Sequence, residues 1–204
     1  TGGLTSDSSG FLWGSTRKGG AGDFGTIYRF HTGTRAFTTV AEFTGTGGAV
    51  KGAEPRAAML RDAAGNFWGT TAAGGAGNLG TVFRITPAGQ FTTVLEFTGQ
   101  GGAVPGANPG NGALYRHTDG HLYGTTEKGG ITTAGVPVNG GGIYRLRFGP
   151  VPVTLAPRLV GSSTATLAGT LNPNGAAPVP VFEYGTSANL SGATQVTLAG
   201  LPAG

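Results

Sequence analysis

The sequence predicts an all-β chain: β-propeller-like four-stranded blade repeats in three copies, the third incomplete, followed by a partial β-sandwich. Three observations predict it. Glycine occupies 42 of 204 positions, roughly three times the usual share, which suits short strands joined by tight turns. Val, Ile, Phe and Tyr recur in short alternating runs, and no 3.6-residue period survives anywhere, so helix is not expected. A long segment also returns at fixed spacing.

The repeated segment is "GFLWGSTRKGGAGDFGTIYRF" from Gly10, "GNFWGTTAAGGAGNLGTVFRI" from Gly65 and "GHLYGTTEKGG" from Gly120, a step of 55 each time. Trp13, Trp68 and Tyr123 are thereby equivalent, as are Gly14, Gly69 and Gly124. The tail returns as "FTTVAEFTGTGGAVKGAEP", ending at Pro55, and "FTTVLEFTGQGGAVPGANP", ending at Pro109. The units therefore span 1–55, 56–109 and 110–149. The third carries "ITTAGVPVNGGG" after Gly130. Gly25 to Gly80 is 55 residues but Gly80 to Gly142 is 62, a shift of seven, and no "FTTVLEF" follows.

In the second unit four strands are expected: Ala58–Arg61, Asn66–Thr71, Thr81–Thr86 and Phe91–Phe97. Turns such as "DAAG" and "TPAG" separate them. Alternation places Phe83 and Ile85 on one face and Val82 and Arg84 on the other. Tyr28 and Phe30 oppose Ile27 and Arg29 in the first unit, and Tyr144 and Leu146 oppose Ile143 and Arg145 in the third. Four antiparallel strands per repeat is the arithmetic of a propeller blade. Trp13, Trp68, Tyr123, Tyr28, Phe83 and Tyr144 are expected to form the repeat core.

Composition narrows the functional classes. There are 13 Lys and Arg, 9 Asp and Glu and no Cys, for a net charge of +4. The basic residues are scattered from Arg17 to Arg158 without a run, so nucleic acid is not an expected partner. No apolar stretch approaches the length of a membrane span. The chain opens at Thr1 without a basic-then-apolar leader and reads as a mature or trimmed product.

Motifs with chemical readings resolve into structural ones. "GGAG" at Gly19–Gly22 and Gly74–Gly77 lacks the following GK[ST] of a phosphate loop and reads as a turn. His117 and His121 straddle a turn, which does not make a zinc site. Asp7, Asp62 and Asp119 precede equivalent turns and are expected to close them as Asx turns, with calcium binding as the lesser reading. Glu42 and Glu96 are equivalent and could pair with Arg29 and Arg84. No Ser-His-Asp set can be assembled, and repeat-equivalent acids are poor candidates for a single active site. No catalytic residue, metal site or cofactor is expected. Asn189-Leu190-Ser191 matches a glycosylation sequon.

The motif series "LYGTT…GG…GTVFRITPAGQFTTVLEFTG" resembles the GloVer-type repeat of large secreted or surface-anchored bacterial proteins, over residues 1–149. The resemblance implies β-propeller-like repeats and brings no catalytic residues. After a linker or first strand at 150–162, residues 163–204 resemble the start of a bacterial fibronectin type III-like domain, through "GTLNPNG" (Gly169–Gly175) and "VFEYGT" (Val181–Thr186). Strands are expected near Thr154–Leu159, Thr164–Leu171, Val179–Tyr184 and Thr194–Ala199. Such a sandwich normally continues past "LPAG", so either the chain is a fragment or a neighbour supplies the missing strands. These readings make the chain a structural or adhesive extracellular module, associating as a homo-oligomer or head-to-tail polymer. The alternative is a glycan- or peptide-binding propeller acting through its loops.

Overall fold

The computed structural model describes residues 2–130, 139–147, 151–158, 166–172, 181–184 and 194–197, the last four ranges as backbone strands. The chain divides into two compact units, Thr1–Tyr115 with Leu122–Arg145, and Arg116–His121 with Leu146–Gly204. The described secondary structure is β throughout, apart from one 3₁₀ turn at Pro109–Asn111.

The first repeat forms a four-stranded antiparallel sheet in chain order: β1 (Thr5–Ser6), β2 (Phe11–Thr16), β3 (Thr26–His31) and β4 (Phe37–Glu42). Asp7 starts the β1–β2 turn, its Oδ1 accepting the amides of Ser9 and Phe11 at 2.8 and 2.9 Å. Register places Trp13 opposite Arg29 and Ser15 opposite Ile27, so these four share a face. Gly14 opposite Tyr28 belongs to the other.

The second sheet contains β5 (Ala53–Pro55), β6 (Leu60–Arg61), β7 (Phe67–Ala73), β8 (Thr81–Ile85) and β9 (Phe91–Glu96). β6 pairs with the start of β7, through Leu60↔Trp68, and β5 with its end, through Ala53↔Ala73 and Pro55↔Thr71. β5 was not among the expected strands. It lies in the tail of the first repeat yet is hydrogen-bonded into the sheet of the second. The same handover recurs one repeat later as the bridge Ala107↔Lys128, with N···O distances of 2.7 and 3.1 Å. Consecutive repeats are thus joined by backbone hydrogen bonds as well as by side-chain packing.

The third sheet has the order β10 (Tyr115–Arg116), β11 (Leu122–Thr126) and β12 (Gly142–Leu146). Its hydrogen bonds correct the alignment by one residue. The Gly141 amide donates to the Gly129 carbonyl at 3.0 Å, as Gly80 does to Gly74 and Gly25 to Gly19, each at 3.0 Å. Gly141, not Gly142, is therefore the counterpart of Gly80, and the third repeat gains six residues rather than seven. Only glycine suits this corner: φ is +101° at Gly25 and +98° at Gly80, and a Cβ would come within 2.3 and 2.4 Å of the Thr16 and Thr71 carbonyl oxygens.

One apolar cluster joins the first two repeats. Trp13 and Ile27, on the forward face of the first sheet, meet Phe67, Phe83 and Ile85 on the rear face of the second. Phe43 and Met59 fill in from the connections. In the second unit, β13 (Val151–Arg158) pairs antiparallel with β14 (Thr166–Asn172), and β15 (Val181–Tyr184) with β16 (Thr194–Thr197).

Candidate functional site

The most organised side chains lie at the faces where repeats meet. Each repeat builds the same three-residue unit, in which an aromatic ring lies across the glycine opposite it in register. Gly14 faces Tyr28 and Gly69 faces Phe83. A Cβ would come 2.5 Å from Tyr28 Oη at Gly14, 2.4 Å from Phe83 Cζ at Gly69, and 2.3 Å from Tyr144 Oη at Gly124. The preceding aromatic points to the opposite face, because neighbours along a strand alternate. The glycine beside each Trp therefore makes room for a ring from the next strand.

The tryptophans are anchored at their polar edge. The Trp13 indole N–H donates to Asp7 Oδ2 at 3.0 Å, and that of Trp68 to Asp62 Oδ2 at 2.8 Å. Burial pushes both carboxyls up, but the indole and backbone hydrogen bonds outweigh it and leave both below their ordinary value. In the third repeat this position is His117. Its amide donates to the His121 carbonyl as Asp62 does to Asn66. That corrects the equivalence of Asp119 with Asp7 and Asp62: Asp119 closes the same turn from two residues on, accepting the His121 amide at 2.9 Å.

Trp13 is fully buried, stacked on Phe67 with centroids 4.5 Å apart, and Trp68 is 5% exposed. Phe83 is fully buried, while Tyr28, Tyr123 and Tyr144 are half-buried. Arg29 lies over the Phe11 ring at 4.7 Å and Arg84 over Trp68 at 6.0 Å. The expected pairing of Glu42 and Glu96 with these arginines does not occur. Register sets the two acids opposite Thr26 and Thr81, three residues from the arginines. Glu42 instead accepts the Ala21 amide at 2.8 Å. Glu96 accepts the Ala76 amide and pairs with Lys51 at 2.8 Å.

Among the described residues no three His, Asp or Glu side chains come together in a metal-binding group. No helix among them is long and apolar enough to cross a membrane. A cavity of about 360 Å³ lies beside β12, lined by Leu95, Val104, Pro105, Ile143 and Tyr144 among others.

The feature that sequence reasoning missed is an asymmetry between repeats. Ile27 and Val82, at equivalent positions, are 0% exposed, whereas their counterpart Ile143 is 79% exposed. At the other end Phe37, stacked on Tyr28 at 5.0 Å, is 61% exposed. The missing "FTTVLEF" was a signal for the first of these.

Sheets that repeat, hand a strand to the next copy and bury equivalent aromatics define a tandem β-repeat protein. Within that class, the chain belongs to the Gloeobacter/Verrucomicrobia repeat family, whose model matches residues 1–195. The match runs well past residue 149, where the resemblance read from the motifs ended, and takes in most of the tail. No curated protein and no solved structure matches significantly.

Proposed function

We propose that this chain is a structural module of a secreted or surface-anchored bacterial protein, and that it associates head to tail through its repeat faces. Each sheet of the first unit is read as a propeller-type blade, and the paired strands of the second as part of a fibronectin type III-like sandwich. The module has no catalytic role in this reading. One observation carries it: the surface that is fully buried at Ile27 and Val82 is open at Ile143. Exposed apolar surface of this kind on a repeat array is normally covered by a further repeat or a partner.

The opposite face complements it. Tyr28 and Phe37 in the first repeat stand where Phe83 and Phe91 stand in the second, and those two receive the preceding repeat. A forward face and a rear face are thus two halves of one junction, and joining them between copies is a heterologous contact. A glycan-binding role is less well supported, since both tryptophans lie inside and cannot stack on a sugar ring. Light scattering across a dilution series tests the proposal. A mass rising with concentration above the 20.2 kDa monomer is expected, and a constant monomer mass would refute it.

A further inference from the structure

We infer that the free edge of β12, with the cavity beside it, is a strand-acceptor site. Its ligand is an extended peptide segment with the pattern Phe-x-x-Val-Leu, supplied by another polypeptide chain. The site borders the face-to-face association proposed above and shares Ile143 with it, but it takes its ligand along the strand edge rather than on the sheet face.

The second repeat supplies the template. There β9 runs along β8, from Phe91 opposite Ile85 to Glu96 opposite Thr81. The Phe91 ring stacks on Phe83 at 5.3 Å and meets Phe43 edge-on at 5.8 Å, closing the space between repeats. The third repeat keeps the receiving half of this arrangement. Tyr144 meets Phe97 edge-on at 5.0 Å, as Phe83 meets Phe43 at 5.4 Å. Leu95 and Val104 stand where Ala41 and Val50 stand one junction earlier, both packed against the core.

Among the described residues β12 pairs only with β11. The cavity of about 360 Å³ runs along this edge, and its walls include Leu95, Val104, Tyr144 and the backbone of Gly142. That volume lies at the small end of ligand clefts. An unpaired strand edge beside an apolar slot is the arrangement used for β-strand addition: main-chain hydrogen bonds supply affinity and the slot reads alternate side chains.

The charge around the slot sharpens the ligand. Glu96 in the second repeat is met by Lys51 at 2.8 Å, but the counterpart of Lys51 at this junction is Pro105, which also lines the cavity. An acid at the sixth position of an incoming strand therefore has no lysine to meet, and Arg145, which also lines the cavity, lies three residues further along β12, as Arg84 does from the residue opposite Glu96. The site reads the aromatic and the aliphatic residues of the strand and is indifferent to its carboxylate.

The test uses the full 204-residue chain and a fluorescein-labelled peptide QFTTVLEFTG, corresponding to Gln90–Gly99. Saturable binding in fluorescence anisotropy is expected, with slowed hydrogen exchange at the amides of Gly142–Leu146. Replacing the first peptide Phe by Ala, or N-methylating alternate backbone amides, should weaken binding at least ~10-fold, one lost anchor of about 1.4 kcal/mol. Changing the peptide Glu to Gln should alter it less than ~2-fold, about 0.4 kcal/mol on the same scale. On the protein side, Val104→Trp fills the slot from its far wall and should abolish binding. No binding at millimolar peptide would overturn the inference. So would binding that ignores the Phe, or Gly142–Leu146 amides already protected without peptide, because the edge would then be occupied from within.

Discussion

The ring of Phe83 closes over Gly69 so tightly that a Cβ at Gly69 would lie 2.4 Å from Phe83 Cζ. Gly69 and Phe83 are directly opposed in register, and both are buried, so neither can move aside without disturbing the junction with the first repeat. Gly69→Ala is therefore expected to destabilise the chain by about 1–3 kcal/mol, the usual cost of overpacking a filled core. Pairing it with Phe83→Leu should recover part of the loss. The pair is read as a double-mutant cycle by urea denaturation. Strict additivity of the two changes would contradict the contact. Gly14→Ala should cost less, because the Tyr28 ring above it is half-buried and can swing outward.

Asp62 ties a turn to a core ring. It accepts the Asn66 amide at 2.8 Å and the Trp68 indole N–H at 2.8 Å. Asp62→Ala is expected to cost about 1–3 kcal/mol, since a buried donor loses its acceptor. The same bonds fix a pH dependence. Burial opposes the charge and the hydrogen bonds favour it, and the net result holds the Asp62 carboxyl below its ordinary 3.8. The unfolded chain then binds more protons near pH 4. The contribution is complete above that value and is lost as pH falls through the lowered folded pKa. Thermal melts of wild type and Asp62→Asn at pH 7 and pH 3 check this: the gap between them should shrink on acidification.

Tyr144 gives the alkaline counterpart. Its hydroxyl is buried over Gly124 without a hydrogen-bond partner among the described residues, and burial raises its pKa well above the ordinary 10.0. The folded chain keeps this proton where the unfolded chain releases it. Stability is therefore lost as pH rises above about 10. Tyr144→Phe, which puts the residue of the second repeat into the third, should be neutral or stabilising at pH 7 and should melt with a shallower alkaline slope. Equal slopes from pH 9 to 11 would show that the phenol is solvated.

Much of this was legible in the sequence because repetition makes residues comparable. Four strands of the second repeat, the opposed faces of "TVFRI" and the equivalence of Trp13 with Trp68 all follow from spacing and two-residue alternation. Hydrogen-bond connectivity was not legible. β5 looks like a loop, because a three-residue strand ending in Pro carries no alternation, and only the position of β7 gives it a partner. The counterpart of Gly80 falls at Gly141 rather than Gly142, which spacing alone does not resolve because three glycines in a row offer no side chain to fix the register. The Glu42–Arg29 pairing failed for a geometric reason. Opposite charges three residues apart in register lie about 10 Å apart along the strands, and nearer donors claim the acid.

The exposed faces at the two ends predict how copies combine. Ile143 on the forward face of the third repeat is 79% exposed and Phe37 on the rear side of the first is 61% exposed. If these are halves of one junction, Ile143→Glu disables one end of a copy and Phe37→Glu disables the other. Both sites are exposed, so neither change should cost more than about 0.5 kcal/mol in stability. Each variant alone should stay monomeric at concentrations where wild type associates, because every contact needs one intact face of each kind. Mixed together they behave differently. The Phe37→Glu copy retains a working forward face and the Ile143→Glu copy a working rear face, so one contact forms and no further one can. Sedimentation should then show a 1:1 dimer in the mixture and none in either variant alone. A self-complementary interface gives another pattern, since one variant would still dimerise alone and mixing would add nothing. Growth of the mixture beyond the dimer would place the contact elsewhere on the chain.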